Sequence, residues 1–188
     1  RERFLSGDER DRLLSACKAS RSQFLYPVVV LAISTGMRRG EIMGLRWKQV
    51  DLANNCLRLS ETKNDTSRSI PLAGLALTLM VQLSKVRRID SELVFYGRDK
   101  AQAIDLKKPW ETALRKADID DFRFHDLRHT AASYLAMNGA TTVEIAAVLG
   151  HKTLQMVKRY SHLANSHTAG VVASMNRKIF EQPEGGMR

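Results

Sequence analysis

Apolar and polar residues alternate along this chain with two different periods, and the change of period marks its organisation. Ser6-Gly-Asp-Glu9 reads as a capping box, opening a helix through Asp11 to Cys17. Phe24 to Ser34 is apolar almost all round, which predicts a buried helix. Gly36 sits where that helix ends, and a short helix with Arg38, Glu41, Ile42 and Leu45 follows. The period then changes. Val50 to Leu52, Cys56 to Leu59 and Arg68 to Pro71 predict short strands, with turns at Asn54-Asn55 and Lys63 to Ser67.

The later chain is mainly helical. Leu72 to Arg88 is amphipathic, and Leu93 to Phe95 is a short strand or loop. Pro109 to Lys116 is a helix with proline near its first turn. Asp126 caps a helix running to Met137, closed by Asn138-Gly139. Thr141-Thr-Val-Glu144 is a second capping box, for a helix ended by Gly150. Thr153 to Tyr160 reads as a short helix, Asn165 to Phe180 as the last one, and residues 183–188 as a loose tail. The fold class expected is therefore α+β, mainly α-helical, with a small antiparallel β-sheet. There is no internal repeat.

Composition narrows the partners. A chain of 188 residues with 44% hydrophobic positions can bury a real core. Its net charge of +10 favours a polyanion, either nucleic acid or an anionic membrane surface. Cys17 and Cys56 form neither a metal-type pair nor a disulfide framework, which suits a reducing cytosol. The longest apolar run, Val28 to Ile33, is far too short to span a bilayer. Opening at Arg1 without an initiator Met reads as a fragment of something longer.

Five local features, in order, carry the chemistry. They are Thr35-Gly-Met-Arg38-Arg39-Gly-Glu41; Lys63 in its turn; His125-Asp-Leu-Arg128-His129; Leu149-Gly-His151; and Arg159-Tyr160-Ser-His162. Two guanidinium forks match phosphate oxygens and neutralise a developing pentacoordinate phosphorus. A tyrosine hydroxyl can attack phosphorus covalently, but with an ordinary pKa of about 10 it needs a base or a strongly positive site. Histidine moves protons near neutrality.

The set resembles the tyrosine recombinases, the family of phage integrases and bacterial chromosome-dimer resolvases. Their order Arg, Lys, His-x-x-Arg, His, Tyr falls on Arg38, Lys63, His125 with Arg128, His151 and Tyr160, over roughly Glu9 to Phe180. Each motif alone is weak, and all of them in order are strong. The resemblance implies the family's catalytic fold over residues 1–182, without the N-terminal core-binding domain that normally precedes it. It implies that Tyr160 attacks a phosphate of double-stranded DNA, leaving a 3′-phosphotyrosine and a free 5′-hydroxyl, with no cofactor, metal or ATP. It also implies a homotetramer on DNA for the full-length protein, accessory DNA-bending proteins, and a bacterial cytoplasmic location on the nucleoid. A type IB-like DNA topoisomerase and a non-catalytic DNA-binding module stand as alternatives.

Each residue also has a plainer reading. Glu41 lies on the same helix face as Arg38 and can orient it, whereas Arg39 faces about 100° away. Lys63 competes with Lys48 and Arg68 as the acid. His125 and His129, at i and i+4, could suggest zinc, but Asp126 stands where the helical zinc motif has Glu, and Arg128 would repel a cation. His129 reads as a buried structural partner. Among the tyrosines, Tyr26 and Tyr134 look like core, and Tyr160 has basic and histidine neighbours. Val171, Val172, Met175 and Ile179 pack either on their own domain or on a neighbouring protomer.

Overall fold

The computed structural model describes residues 3–60, 67–99, 101–150, 153–160 and 165–180. The backbone divides into two compact units. One comprises residues 1–131 with 148–150, and the other 132–147 with 151–188.

The first unit begins with α1 (Gly7–Lys18), whose capping box forms as the sequence requires. The Glu9 N–H donates to Ser6 Oγ at 3.1 Å, and the Ser6 N–H donates back to Glu9 Oε2 at 2.9 Å. Helix α2 (Leu25–Thr35) is buried on nearly every face. Leu25, Val28, Val29 and Leu31 are each at most 1% exposed, and burying one such side chain stabilises the fold by roughly 1.5–3 kcal/mol. Around α2 gather Leu13 of α1, Phe95, and the sheet residues Leu57 and Ile70 in one hydrophobic core. Phe24 meets Phe95 and Tyr96 edge-on, with ring centroids 5.8 and 5.1 Å away.

The sheet is an antiparallel meander of β1 (Val50–Asp51), β2 (Cys56–Ser60) and β3 (Ser67–Pro71). Its register pairs Leu57 with Ile70 and Leu59 with Arg68. Directly opposed residues share a face, so Arg68 stands on the same inward face as the buried Leu57, Leu59 and Ile70. Helix α3 is only Arg39–Met43, with Arg38 at its N-cap. Leu45 falls beyond it, buried in the loop. Helix α4 runs Gly74–Lys85, shorter than the apolar pattern from Leu72 to Arg88. Leu72 is still held by the sheet, its N–H on the Asn55 carbonyl at 2.7 Å, and Val86 is exposed. Leu93 forms an isolated bridge with Arg46. Helix α5 is Lys107–Lys116.

Helix α6 spans Asp126–Met137, but Asp126 does not cap it from outside. The Asp126 carboxylate accepts the Arg123 N–H at 2.8 Å. The backbone is already turning there, with Asp126, Leu127 and Arg128 N–H groups bonded to carbonyls three residues back. Arg123 is therefore the capping position, and Asp126 reaches back to it from inside the first turn.

The second unit takes the end of α6, most of α7 (Thr142–Leu149) and α8 (Asn165–Phe180). Gly139, at φ +85°, closes α6. Its N–H bonds to Ala136 O and the Ala140 N–H to Leu135 O, the paired bonds of a Schellman cap. Thr141 and Glu144 form the second capping box. The helix expected over Thr153 to Tyr160 is not one. Leu154–Met156 and residues 158–160 form 3-10 turns, entered from an extended Thr153 without a side-chain cap. Tyr26 and Tyr134, expected in the core, are only half-buried. The α8 residues Val171, Val172, Met175 and Ile179 are about half exposed. No helix among the described residues is long and apolar enough to cross a membrane.

Candidate active site

The site is built at the corner where α2 stops. Thr35 Oγ1 donates to the Leu31 carbonyl at 2.6 Å and accepts the Met37 N–H at 3.3 Å. Gly36, at φ +63°, turns the chain out of the helix through the left-handed region. A Cβ there would collide with the side chain of Leu149. The chain then extends through Arg38, at φ −68° and ψ 148°.

Arg128 locks this corner. It is 5% exposed, and its Nη1 donates to the Gly36 carbonyl at 2.5 Å. A buried hydrogen bond from a charged donor contributes about 1.5–3 kcal/mol. The two arginine motifs thus meet, since the carbonyl held by Arg128 lies two residues before Arg38.

Glu41 orients Arg38. Its Oε2 accepts the Arg38 N–H at 2.7 Å, and its Oε1 accepts Arg38 Nη1 at 3.0 Å. Glu41 also binds a second guanidinium, with Arg68 Nη2 donating to Oε2 at 2.8 Å. Arg68 Nη1 in turn donates to the Leu149 carbonyl at 2.9 Å. Arg68, by sequence an alternative to Lys63 as the acid, is thus paired and largely buried. Its inward place in β3 was the available signal, because an arginine on a core face requires a partner.

His125 is exposed at the start of α6, and His129 is half-buried, not buried as expected. Their rings meet edge-on with centroids 5.4 Å apart. Among the described residues, no group of three or more His, Cys, Asp or Glu is arranged to hold a metal ion. Lys48 is exposed in the 3-10 turn Trp47–Gln49, and Arg39 is exposed. Lys63, His151 and His162 lie outside the described residues. Tyr160 belongs to the second unit and is 5% exposed, with its N–H on the Val157 carbonyl at 2.9 Å. Burial pushes the Cys17 thiol up to about 12, so it supplies no nucleophile at neutral pH.

Chemically, the corner offers planar cationic donors on a rigid support. Two guanidiniums share one carboxylate, so the cluster stays net positive. Arg38, with 45% of its side chain exposed, is the member turned to solvent. Such an array suits a phosphate oxygen.

Comparison with known proteins gives the family. The model of the Phage integrase family matches residues 3–167. The chain is 37% identical over 164 residues to the shufflon-specific DNA recombinase of Escherichia coli, covering 87% of this chain and 41% of that protein. It is 31% identical over 179 residues to the integrase of Salmonella phage P22, covering 89% and 45%. The chain therefore spans less than half the length of either relative. The solved catalytic domain of bacteriophage HP1 integrase is similar with a TM-score of 0.69 at 26% identity, over 98% of both chains. By motif order, by the family match and by fold, this chain belongs to the phage integrase family.

Proposed function

We propose that this chain is the catalytic domain of a site-specific DNA recombinase, cleaving and rejoining duplex DNA through Tyr160. The observation that carries the reading is the Arg128 bond to the Gly36 carbonyl, which fastens the two arginine motifs into one corner. The family match, which runs through residue 167, takes in Tyr160 along with them.

In this mechanism Arg38 and Arg128 hold the non-bridging oxygens of one phosphate and stabilise the charge that grows on them. Tyr160 Oη attacks phosphorus and gives its proton to a histidine, His125 or His151. The bond from phosphorus to the 5′-oxygen breaks, and Lys63 protonates that oxygen as it leaves. The 3′ side of the cleaved strand is now esterified to Tyr160, and the other fragment of that same strand carries a free 5′-hydroxyl. One phosphodiester is exchanged for another, so no ATP is consumed. A 5′-hydroxyl from a second duplex reverses the step and joins the strands. Glu41 keeps Arg38 in register, and His129 supports His125.

The half-exposed Val171, Val172, Met175 and Ile179 of α8 favour docking onto a neighbouring copy, which fits a homotetramer on DNA. In a protein of the relatives' length, a further DNA-binding domain would complete the grip on the duplex.

The test is a suicide-substrate assay. A pool of nicked duplexes of random sequence lets the short 5′-hydroxyl strand diffuse away after cleavage. Members that become covalently attached are recovered and define the substrate. Adduct formation supports the enzyme, and its absence across the pool supports a DNA-binding module. Joining of two separate duplexes distinguishes a recombinase from a relaxing topoisomerase.

A further inference from the structure

We infer that Arg68 is a positioning residue, which fixes Glu41 and through it the guanidinium of Arg38. The inference rests on the reading of Arg38 as a phosphate-binding residue.

Arg68 occupies an inward position of β3, opposite Leu59 and two residues before the buried Ile70. Only 15% of its side chain is exposed. A charge there is costly unless it is paired and hydrogen-bonded. Its two Nη arms meet that demand, one on Glu41 and the other on the Leu149 carbonyl, while Nε has no partner among the described residues. The Glu41 carboxylate is thereby pinned. Oε2 takes Arg68 and the Arg38 N–H, which leaves Oε1 directed at Arg38 Nη1. Exposure rises along this chain of contacts, from 15% at Arg68 through 21% at Glu41 to 45% at Arg38. The anchor is buried and the working end faces solvent.

The end of α7 contributes as well. The two arginines take consecutive carbonyls, Arg68 that of Leu149 and Arg38 that of Gly150, the latter at 3.5 Å. Gly150 makes room for the anchor, since a Cβ there would stand 2.5 Å from Arg68 Cζ. One side chain therefore joins three segments of the site: the start of α3, the start of β3 and the end of α7. In sequence Arg68 lies five residues after Lys63, and Gly150 directly precedes His151.

The experiment uses the full chain and the duplex recovered from the random pool, reading single-turnover cleavage at saturating DNA separately from DNA affinity. Arg68→Ala should slow cleavage on the order of 10–100-fold, the size of effect found when a partner that orients a metal ligand is lost, and should leave affinity unchanged. Arg68→Lys keeps the charge but loses the fork, and should recover only part of the rate. Combining Arg68→Ala with Glu41→Gln should cost no more than the worse single change, because both act through one contact chain. On a methylphosphonate linkage, where one charged oxygen is gone, the defects of Arg38→Ala and Arg68→Ala should shrink together.

A wild-type rate for Arg68→Ala, or defects that add with Glu41→Gln, would overturn the inference while leaving Arg38 in place. A wild-type rate for Arg38→Ala would overturn both the reading of the site and this inference. If Arg68→Ala fails to fold, Arg68→Lys carries the same readouts.

Discussion

Arg128 reaches across 92 residues of sequence to donate to the carbonyl of Gly36. That bond gives Arg128 a structural role beside the chemical one proposed for it, and it separates the two arginines experimentally. Arg128→Ala should slow cleavage by about 10²–10³-fold or more, as when a single transition-state donor is removed. It should also lower stability by about 1–3 kcal/mol, because a buried carbonyl loses its donor. Arg38→Ala, at a half-exposed site, should match the rate defect with little loss of stability. Arg39→Ala should change neither. Cleavage rates and urea unfolding of the three variants check this, and an Arg39→Ala as slow as Arg38→Ala would mean the register of that motif is wrong.

Gly36→Ala should damage the corner from the backbone side. An L-residue in the left-handed region costs roughly 1–2 kcal/mol, and overpacking against Leu149 adds roughly 1–3 kcal/mol. Urea unfolding should register the sum, together with slowed cleavage as the Gly36 carbonyl shifts under Arg128. Wild-type stability would show that the Leu149 side chain gives way freely.

The capping box of α1 predicts a pH dependence. The hydrogen bond from Arg3, with help from the Ser6 N–H, holds the Glu9 carboxyl down at about 2. A carboxyl depressed in the folded state stabilises above its unfolded pKa, and that stability is lost as pH falls through the folded value. Glu9→Gln should therefore be less stable than the wild type by about 1 kcal/mol at neutral pH. The gap should close between about pH 4.3 and pH 2. A gap that persists at pH 2 would assign the effect to packing.

The acid role proposed for Lys63 has its own signature. A 5′-bridging sulfur leaves as a thiolate and needs no proton. Lys63→Ala should be slow on ordinary DNA and largely restored on the 5′-phosphorothiolate, whereas Arg38→Ala should not be. An unrescued Lys63→Ala would shift the acid to Lys48 or a histidine.

Local chemistry made much of the fold legible. The Ser6–Glu9 and Thr141–Glu144 boxes, the all-apolar α2, the hairpin strands and the bounds of α8 each follow from short-range pattern. The misses have physical causes. From Thr153 to Tyr160 no capping side chain commits the backbone, and so short a stretch does not separate an α from a 3-10 turn. Asx residues favour the capping position, which makes Asp126 look like the cap, but its carboxylate serves Arg123 from inside the helix. The Arg68–Glu41 pair joins residues 27 apart in sequence; alternation with Ile70 marks Arg68 as inward, but which carboxylate it meets is set by the tertiary fold. The order of motifs singled out Arg38, Glu41 and Arg128, which the fold brings to one corner, while the carbonyls and the carboxylate that hold them are tertiary facts.

The most direct test is to digest the covalently trapped DNA complex and find the peptide that carries nucleotide. The account predicts one adduct, a 3′-phosphodiester on Tyr160, and none from Tyr160→Phe, which should still bind the duplex normally because only a hydroxyl is removed. Nucleotide on any other residue, or an undiminished adduct from Tyr160→Phe, would contradict it.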